Sequence, residues 1–313
     1  MSSTPLAVLF PGQGSQEAGM GRELAEAHKE AMDLWKQAER ISGIDLRGIY
    51  WDGDELAMAD TRNLQPALTA VDLGYWSYVA SKLSPVMAAG HSLGEYSALA
   101  AASVLSVDSV LELTSLRGRL MAEADPSGQG AMGAILKLDL DTVEQVVADC
   151  REATNKELLV ANYNSPAQYV ISGHKEAVEA AAPMVKEKKG RLVPLPVSGA
   201  FHSPLMAEAA KELATVIAKL DWRKPAFPVV CNVTGQAETD ADTIKDLMSR
   251  QMTSSVQWIT TMNTMWQSSI RTFVEVGPKV VLTRLAGANL KDVTDDYTTQ
   301  SINSLEAADE LNG

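Results

Sequence analysis

Residues 86–105, VMAAGHSLGEYSALAAASVL, decide how the rest of the chain is read. A short apolar run ends at Ala89, the pentapeptide Gly90-His91-Ser92-Leu93-Gly94 follows, and a helical pattern rich in Ala and Leu begins. Strand, sharp turn and helix are thus expected, with a serine at the apex and small residues on both sides. Two glycines permit a tight turn that side chains would block. Such a turn lifts the serine hydroxyl from the sheet above the positive end of the next helix. The backbone N–H of Leu93 is then free to meet a developing oxyanion. The competing reading is a glycine-rich βα turn whose serine only caps the helix.

The 313 residues suffice for one large domain with a subdomain, or two modest domains. No uninterrupted apolar run reaches the length of a membrane span, and the first residues, MSSTPLAVLF, lack the basic region of a secretory signal. Two cysteines, Cys150 and Cys231, imply no disulfide framework, and no Cys/His grouping has metal-ligand spacing. A reducing compartment is expected, the cytoplasm or a plastid-like one. The net charge of −13 argues against nucleic acid, whose phosphates need a basic face.

At the N-terminal end, an apolar strand over residues 6–10 leads into Pro11-Gly12-Gln13-Gly14-Ser15-Gln16 and a helical pattern over residues 20–42. A dinucleotide fingerprint would need a third glycine where Glu17 stands, and a carboxylate there would repel a pyrophosphate. The alternative is a loop whose N–H groups and Gln13 approach a reacting carbonyl. His28, in the helical pattern, falls on the side of Leu24, Ala31 and Trp35 and reads as a packed core histidine. Asn63-Leu64-Gln65-Pro66 is expected to open another helix, with its proline in the first turn.

Over residues 108–123, Val110, Leu113, Leu116, Leu120 and Met121 share one helical face at roughly 100° per residue. Arg117 sits in the middle of that face. A guanidinium there is costly unless an anion meets it. Two readings stand: an internal salt bridge, or a receptor for a substrate carboxylate using the planar bidentate fork.

From residue 128 the pattern becomes strand 131–138, helix 141–153, strand 157–163, strand 168–172, helix 175–188 and strand 191–197. This β-α-β-β-α-β order is ferredoxin-like. Residues 162–166, with Asn162 and Asn164, read as a polar turn, and His174 as a structural helix cap. The fold class is therefore α/β: a large hydrolase-like domain with a mostly parallel sheet (1–127 and 199–313) and an inserted ferredoxin-like subdomain (128–198). Residues 228–233 and 271–276 read as buried parallel strands, and 298–302 as an edge strand.

Of four histidines, His91, His174 and His202 are candidate partners for Ser92. His91 adjoins the serine, and neighbouring side chains on a tight turn diverge. His202, in Ser198-Gly199-Ala200-Phe201-His202-Ser203-Pro204 before a helix over residues 205–220, is the choice. A neutral imidazole there could take the serine proton and return it to a leaving group; the competing reading is a satisfied loop residue.

Several separated segments together resemble the malonyl-CoA:acyl carrier protein transacylase family: FPGQGSQ, NLQPAL, GHSLGEYSALAAA, LRGRLM with the later GAM, ANYNSPAQYVISG and GAFHSPLM, with VQW at Val256 and the EVGP turn. The resemblance implies a malonyl-serine at Ser92, His202 as its base, and Arg117 pairing with the malonyl carboxylate. It implies an oxyanion hole from the N–H groups of Gln13 and Leu93, and Gln251 orienting the histidine through its backbone carbonyl. No cofactor is implied. The resemblance implies malonyl-CoA as substrate and acyl carrier protein as partner, and the chain is expected to act as a monomer. Methylmalonyl-selecting relatives tend to carry glutamine after the serine and a Tyr-Ala-Ser-His run; Leu93 and Gly199-Ala200-Phe201-His202 point to malonyl. Lys279 departs from the glycine usual after Gly-Pro. Lys186, Lys188, Lys189 and Arg191 form a cluster suited to an acidic carrier, or a solvated helix end. Rival functions are a thioester hydrolase, a stand-alone acyltransferase serving a polyketide synthase, and a non-catalytic acyl-CoA-binding protein.

Overall fold

The computed structural model describes residues 5–53 and 55–311. Two sheets organise it. The larger contains β1 (Leu6–Phe10) and β2 (Pro85–Gly90). The smaller is built from β3 (Gly130–Leu136), β4 (Leu158–Ser165), β5 (Gln168–His174) and β6 (Arg191–Pro194). The chain then returns to the first sheet through β7 (Val229–Val230), β8 (Ala237–Glu238), β9 (Thr272–Val276) and β10 (Thr298–Ile302). The larger sheet runs β10-β9-β1-β2-β7-β8, parallel throughout except for the β7–β8 pair.

Its central strands bury both faces, as a mostly parallel sheet under helices requires. In β1, Val8 and Phe10 enter one apolar core while Ala7 and Leu9 enter another on the opposite side. The two-residue period of a strand forces this split. The smaller sheet is antiparallel, in the order β4-β5-β3-β6. Helices Leu140–Thr154 and Lys175–Glu187 close one of its faces around Ile135, Val146, Ile171 and Val185. Met132, Ala134 and Val170 lie in the large core instead. The α/β class and the ferredoxin-like strand order thus agree with expectation.

Several local expectations are corrected. The helix over residues 20–42 is two helices, Arg22–Ala27 and Lys29–Ser42, because His28 takes an extended conformation between them. His28 is half-buried, its ring 4.3 Å from that of Tyr78, rather than a core residue. The helix carrying Pro66 begins at Thr61, capped by the Asp60 side chain, so the proline lies in the second turn. Asn162 and Asn164 belong to β4, which is irregular there: Asn162 bridges Val256, and Tyr163 N–H donates to the Val256 carbonyl at 2.9 Å. His174 occupies a helix N-cap position, but its side chain makes no capping bond. The strand expected over 228–233 is reduced to two residues, and β6 ends at Pro194. The helix after His202 is a short 3₁₀ turn, Pro204–Met206, followed by Ala207–Ile217. Among the described residues no helix is long and apolar enough to cross a membrane.

Candidate active site

The turn after β2 carries its strain in the serine, not in the glycines. Ser92 has φ 52°, the left-handed region that non-glycine residues rarely adopt. The glycines allow close approach: a Cβ on Gly90 would lie 1.9 Å from the Gly94 carbonyl, and one on Gly94 2.0 Å from the Phe10 carbonyl. The end of β1 is thereby pressed against the turn. Helix Gly94–Ala101 has Leu93 at its N-cap position and no side-chain cap, so Ser92 is not a capping residue.

The Ser92 hydroxyl makes two bonds instead. Its Oγ lies 2.7 Å from His202 Nε2 and accepts from Arg117 Nη2 at 3.1 Å. His202 is buried, and it too has a positive φ, 55°. Its Nδ1 faces two carbonyls, Gln251 at 3.2 Å and Ser254 at 3.0 Å. Carbonyl oxygens only accept, so Nδ1 carries the ring proton and Nε2 is left as the acceptor for the serine O–H. Burial, then the charges of Arg117 and His91, push the imidazole down to about 3, and the carbonyl bonds offset this only in part. His202 is therefore neutral in the resting site.

Arg117 is fully buried on helix Val107–Glu123. Its Nη1 donates to Gln65 Oε1 at 2.9 Å, its carbon lies 5.5 Å from the centre of the Tyr96 ring, and its Nε has no hydrogen-bond partner. Burial depresses its pKa. No carboxylate among the described residues forms an ion pair with it, which removes the internal salt bridge as an account of the residue. A buried guanidinium with no carboxylate in direct contact can receive an anion supplied from outside.

These groups open into a cavity of about 360 Å³ between the two sheets. Met132, Ala134 and Val170 of the smaller sheet form an apolar wall, and Asn162 and Gln168 add polar groups. Gln13 and Leu93 also line it, and neither backbone N–H has an acceptor among the described residues. The Gln13 side chain donates to Thr61 Oγ1 at 3.3 Å. Lys279, at φ 61° where glycine was expected, reaches back to donate to the Gly14 carbonyl at 3.2 Å, which ties its turn to the Gln13 loop.

All six residues singled out in the sequence, Ser92, His202, Gln13, Leu93, Gln251 and Arg117, meet around this cavity or directly behind it. His174 lies elsewhere, beside Lys156 and Leu205. His91 does not reach Ser92 Oγ; its Nε2 pairs with Asn164 Oδ1 at 2.8 Å. Sequence reasoning missed Gln65, Glu95, Asn164, Asn232 and Ser254. One of these left a trace, since Asn232 is the single amide in the apolar stretch of residues 228–233.

A parallel sheet with a strained serine turn, a histidine on its hydroxyl and an adjoining cavity places the molecule among serine-centred α/β folds. The model of the acyl transferase domain family matches residues 8–309, and the chain belongs to that family. It is an acyltransferase enzyme. It is 37% identical to the malonyl CoA-acyl carrier protein transacylase of Staphylococcus aureus strain MRSA252, over 98% of this chain and 97% of that one. The protein of the same name from Escherichia coli K12 is 38% identical, with 97% of each chain covered. Among solved structures, a malonyl-transacylase in complex with its type II PKS acyl-carrier protein superposes with a TM-score of 0.92 at 35% identity, covering 98% of each chain.

Proposed function

We propose that the enzyme moves the malonyl group of malonyl-CoA onto the phosphopantetheine thiol of acyl carrier protein through a malonyl-Ser92 ester. One observation carries this reading: a single hydroxyl is bonded at once to a neutral imidazole and to a buried guanidinium with no carboxylate of its own. The malonyl carboxylate docks on Arg117. Ser92 Oγ attacks the thioester carbonyl carbon as its proton passes to His202 Nε2. The N–H groups of Gln13 and Leu93 receive the oxyanion, while Gln251 and Ser254 hold the imidazole in the needed tautomer. The C–S bond breaks, and the CoA sulfur leaves with the proton from His202. The carrier thiol then gives its proton to His202, its sulfur attacks the ester, and Ser92 recovers its hydrogen.

No cofactor enters this cycle. The carrier protein and malonyl-CoA are its partners, and the pathway served is fatty acid synthesis in the cytoplasm, with the chain acting as a monomer. Residues 128–198 form a subdomain, and the cavity lies against it. A second reading, service to a polyketide synthase, draws on the carrier seen with the solved relative. The test is intact-mass measurement after mixing with malonyl-CoA. A malonyl-sized increase, lost in Ser92→Ala and discharged by carrier protein, is expected. Consumption of malonyl-CoA without any carrier would instead indicate a hydrolase, and binding without an adduct a non-catalytic protein.

A further inference from the structure

Behind the serine lies a buried carboxylate that the transfer steps above do not use. Glu95 is fully buried at the start of helix Gly94–Ala101. Its Oε2 accepts from Gln251 Nε2 at 2.7 Å, and its Oε1 accepts from the Asn232 backbone N–H at 3.0 Å. Each of those residues also grips the nucleophile turn. Gln251 Nε2 donates to the Ser92 carbonyl at 2.9 Å. Asn232 Oδ1 accepts from the Ser92 N–H at 2.6 Å, and its Nδ2 donates to the Gly90 carbonyl at 2.7 Å. The Ser92 peptide, held at a φ that serine rarely adopts, is clamped on both its N–H and its C=O. The Gln251 carbonyl meanwhile seats His202.

We infer that Glu95 is a positioning residue for the acyl transfer, joining the clamp on Ser92 to the seat of His202 so that the hydroxyl and the imidazole keep one mutual geometry. This rests on the proposed acyl-serine reading. Both partners of Glu95 present donors to it, so the joint needs two accepting oxygens. Protonation, or an amide at this position, sets a donor against a donor. Gln251 Nε2, which serves Glu95 and the Ser92 carbonyl together, then faces a donor on one side, and an amide that turns over to meet that donor presents its oxygen to the Ser92 carbonyl and releases it.

The ionisation of Glu95 falls where this matters. Burial raises its carboxyl to about 7, against the bonds from Gln251, Asn232 and Cys231 and the charge of Arg117, which hold it down. The titratable groups facing it are Arg117 from helix Val107–Glu123, the buried Cys231 thiol beyond β7, and Tyr96 on its own helix. The thiol and the phenol are both pushed upward by burial and Arg117 stays cationic, so none of the three changes charge near neutrality. A carboxyl raised above its ordinary value accepts a proton as pH falls through that raised value. The clamp is therefore intact above about pH 7 and loosens below it.

The test is the rate at which malonyl-CoA acylates Ser92 in the full chain, followed by quenched intact mass from about pH 6 to 9. Wild type should show an acid limb centred near neutrality. Glu95→Gln should acylate at least about tenfold more slowly at high pH, the scale of a small misplacement of reacting groups. Its apparent affinity for malonyl-CoA should hold within about twofold, because Glu95 makes no hydrogen bond to Arg117. The acid limb should vanish in that variant, which a merely destabilised protein would not show. Asn232→Ala removes one arm but keeps the titrating group, so it should slow acylation and retain the limb. A wild-type rate flat across this range, or a Glu95→Gln enzyme with unchanged rate and limb, overturns the inference. If Glu95→Gln does not fold, Glu95→Asp takes its place, keeping two accepting oxygens on a shorter stem: slower acylation with the limb retained supports the joint, and an unchanged rate overturns it. Failure of wild type to form any adduct would sink the acyl-serine reading instead.

Discussion

Arg117 Nη2 donates to Ser92 Oγ at 3.1 Å, so the buried cation and the serine hydroxyl share a hydrogen bond. An entering carboxylate competes for this nitrogen. Its charge also offsets the cation that, after burial, contributes most to holding His202 down. On the proposed reading, a substrate carboxylate on Arg117 would raise the basicity of the imidazole and unload the hydroxyl in one event.

Arg117→Ala is expected to lose malonyl transfer by at least about 1–3 kcal/mol, or roughly five- to 150-fold in kcat/KM, while activity on acetyl-CoA rises relative to malonyl-CoA. Steady-state kinetics on both thioesters check this. Unchanged malonyl kinetics would reject Arg117 as the carboxylate receptor.

Removal of the imidazole acts on a different quantity. His202→Ala should slow Ser92 acylation by about 10²–10⁴-fold with little change in malonyl-CoA binding. Rapid-quench acylation beside a binding titration separates the two effects, and an equal loss in both would count against a base role.

Lys186, Lys188, Lys189 and Arg191 are exposed where helix Lys175–Glu187 ends and β6 begins. Replacing Lys188 and Lys189 by glutamate should raise KM for carrier protein by about 3–10-fold, spare KM for malonyl-CoA, and matter less at high salt. If carrier kinetics do not move, docking lies elsewhere.

Asp72 is fully buried; its Oδ2 accepts from Ser97 Oγ at 3.2 Å, and its Oδ1 has no hydrogen-bond partner. Burial chiefly, then the charge of Glu275, raises its carboxyl well above the ordinary range. A carboxyl raised on folding contributes stability that is fully present at pH below its unfolded value, about 3.9, and is lost as pH climbs through the folded one. Asp72→Asn should thus gain on wild type progressively with pH, read as denaturation midpoints at about pH 5 and pH 9. Parallel pH dependences would show that Asp72 is not the buried acid described.

The elements most legible in the sequence owe little to distant partners. The apolar run, the glycine pair and the serine of the nucleophile turn are contiguous, and Arg117 is conspicuous on its own helix face. His202 emerged from elimination among four histidines. What stayed hidden depends on pairing between remote segments. Asn232 meets Ser92 across 140 positions and Gln251 meets Glu95 across 156, and no local pattern encodes either register. The break at His28 and the shortening of β7 were illegible for the opposite reason, since packing overrode a helical or strand periodicity that was present.

Ser92 and His202 are both non-glycine residues with left-handed backbones, and their side chains meet across 2.7 Å. Conformations of this kind cost about 1–3 kcal/mol each. Glycine at either position would shed that penalty together with the chemistry, so an inert chain with Ser92→Gly or His202→Gly should melt as high as the working enzyme or higher. Two such backbones in one centre mean that, on the proposed reading, the reacting geometry is held at a cost in thermal stability.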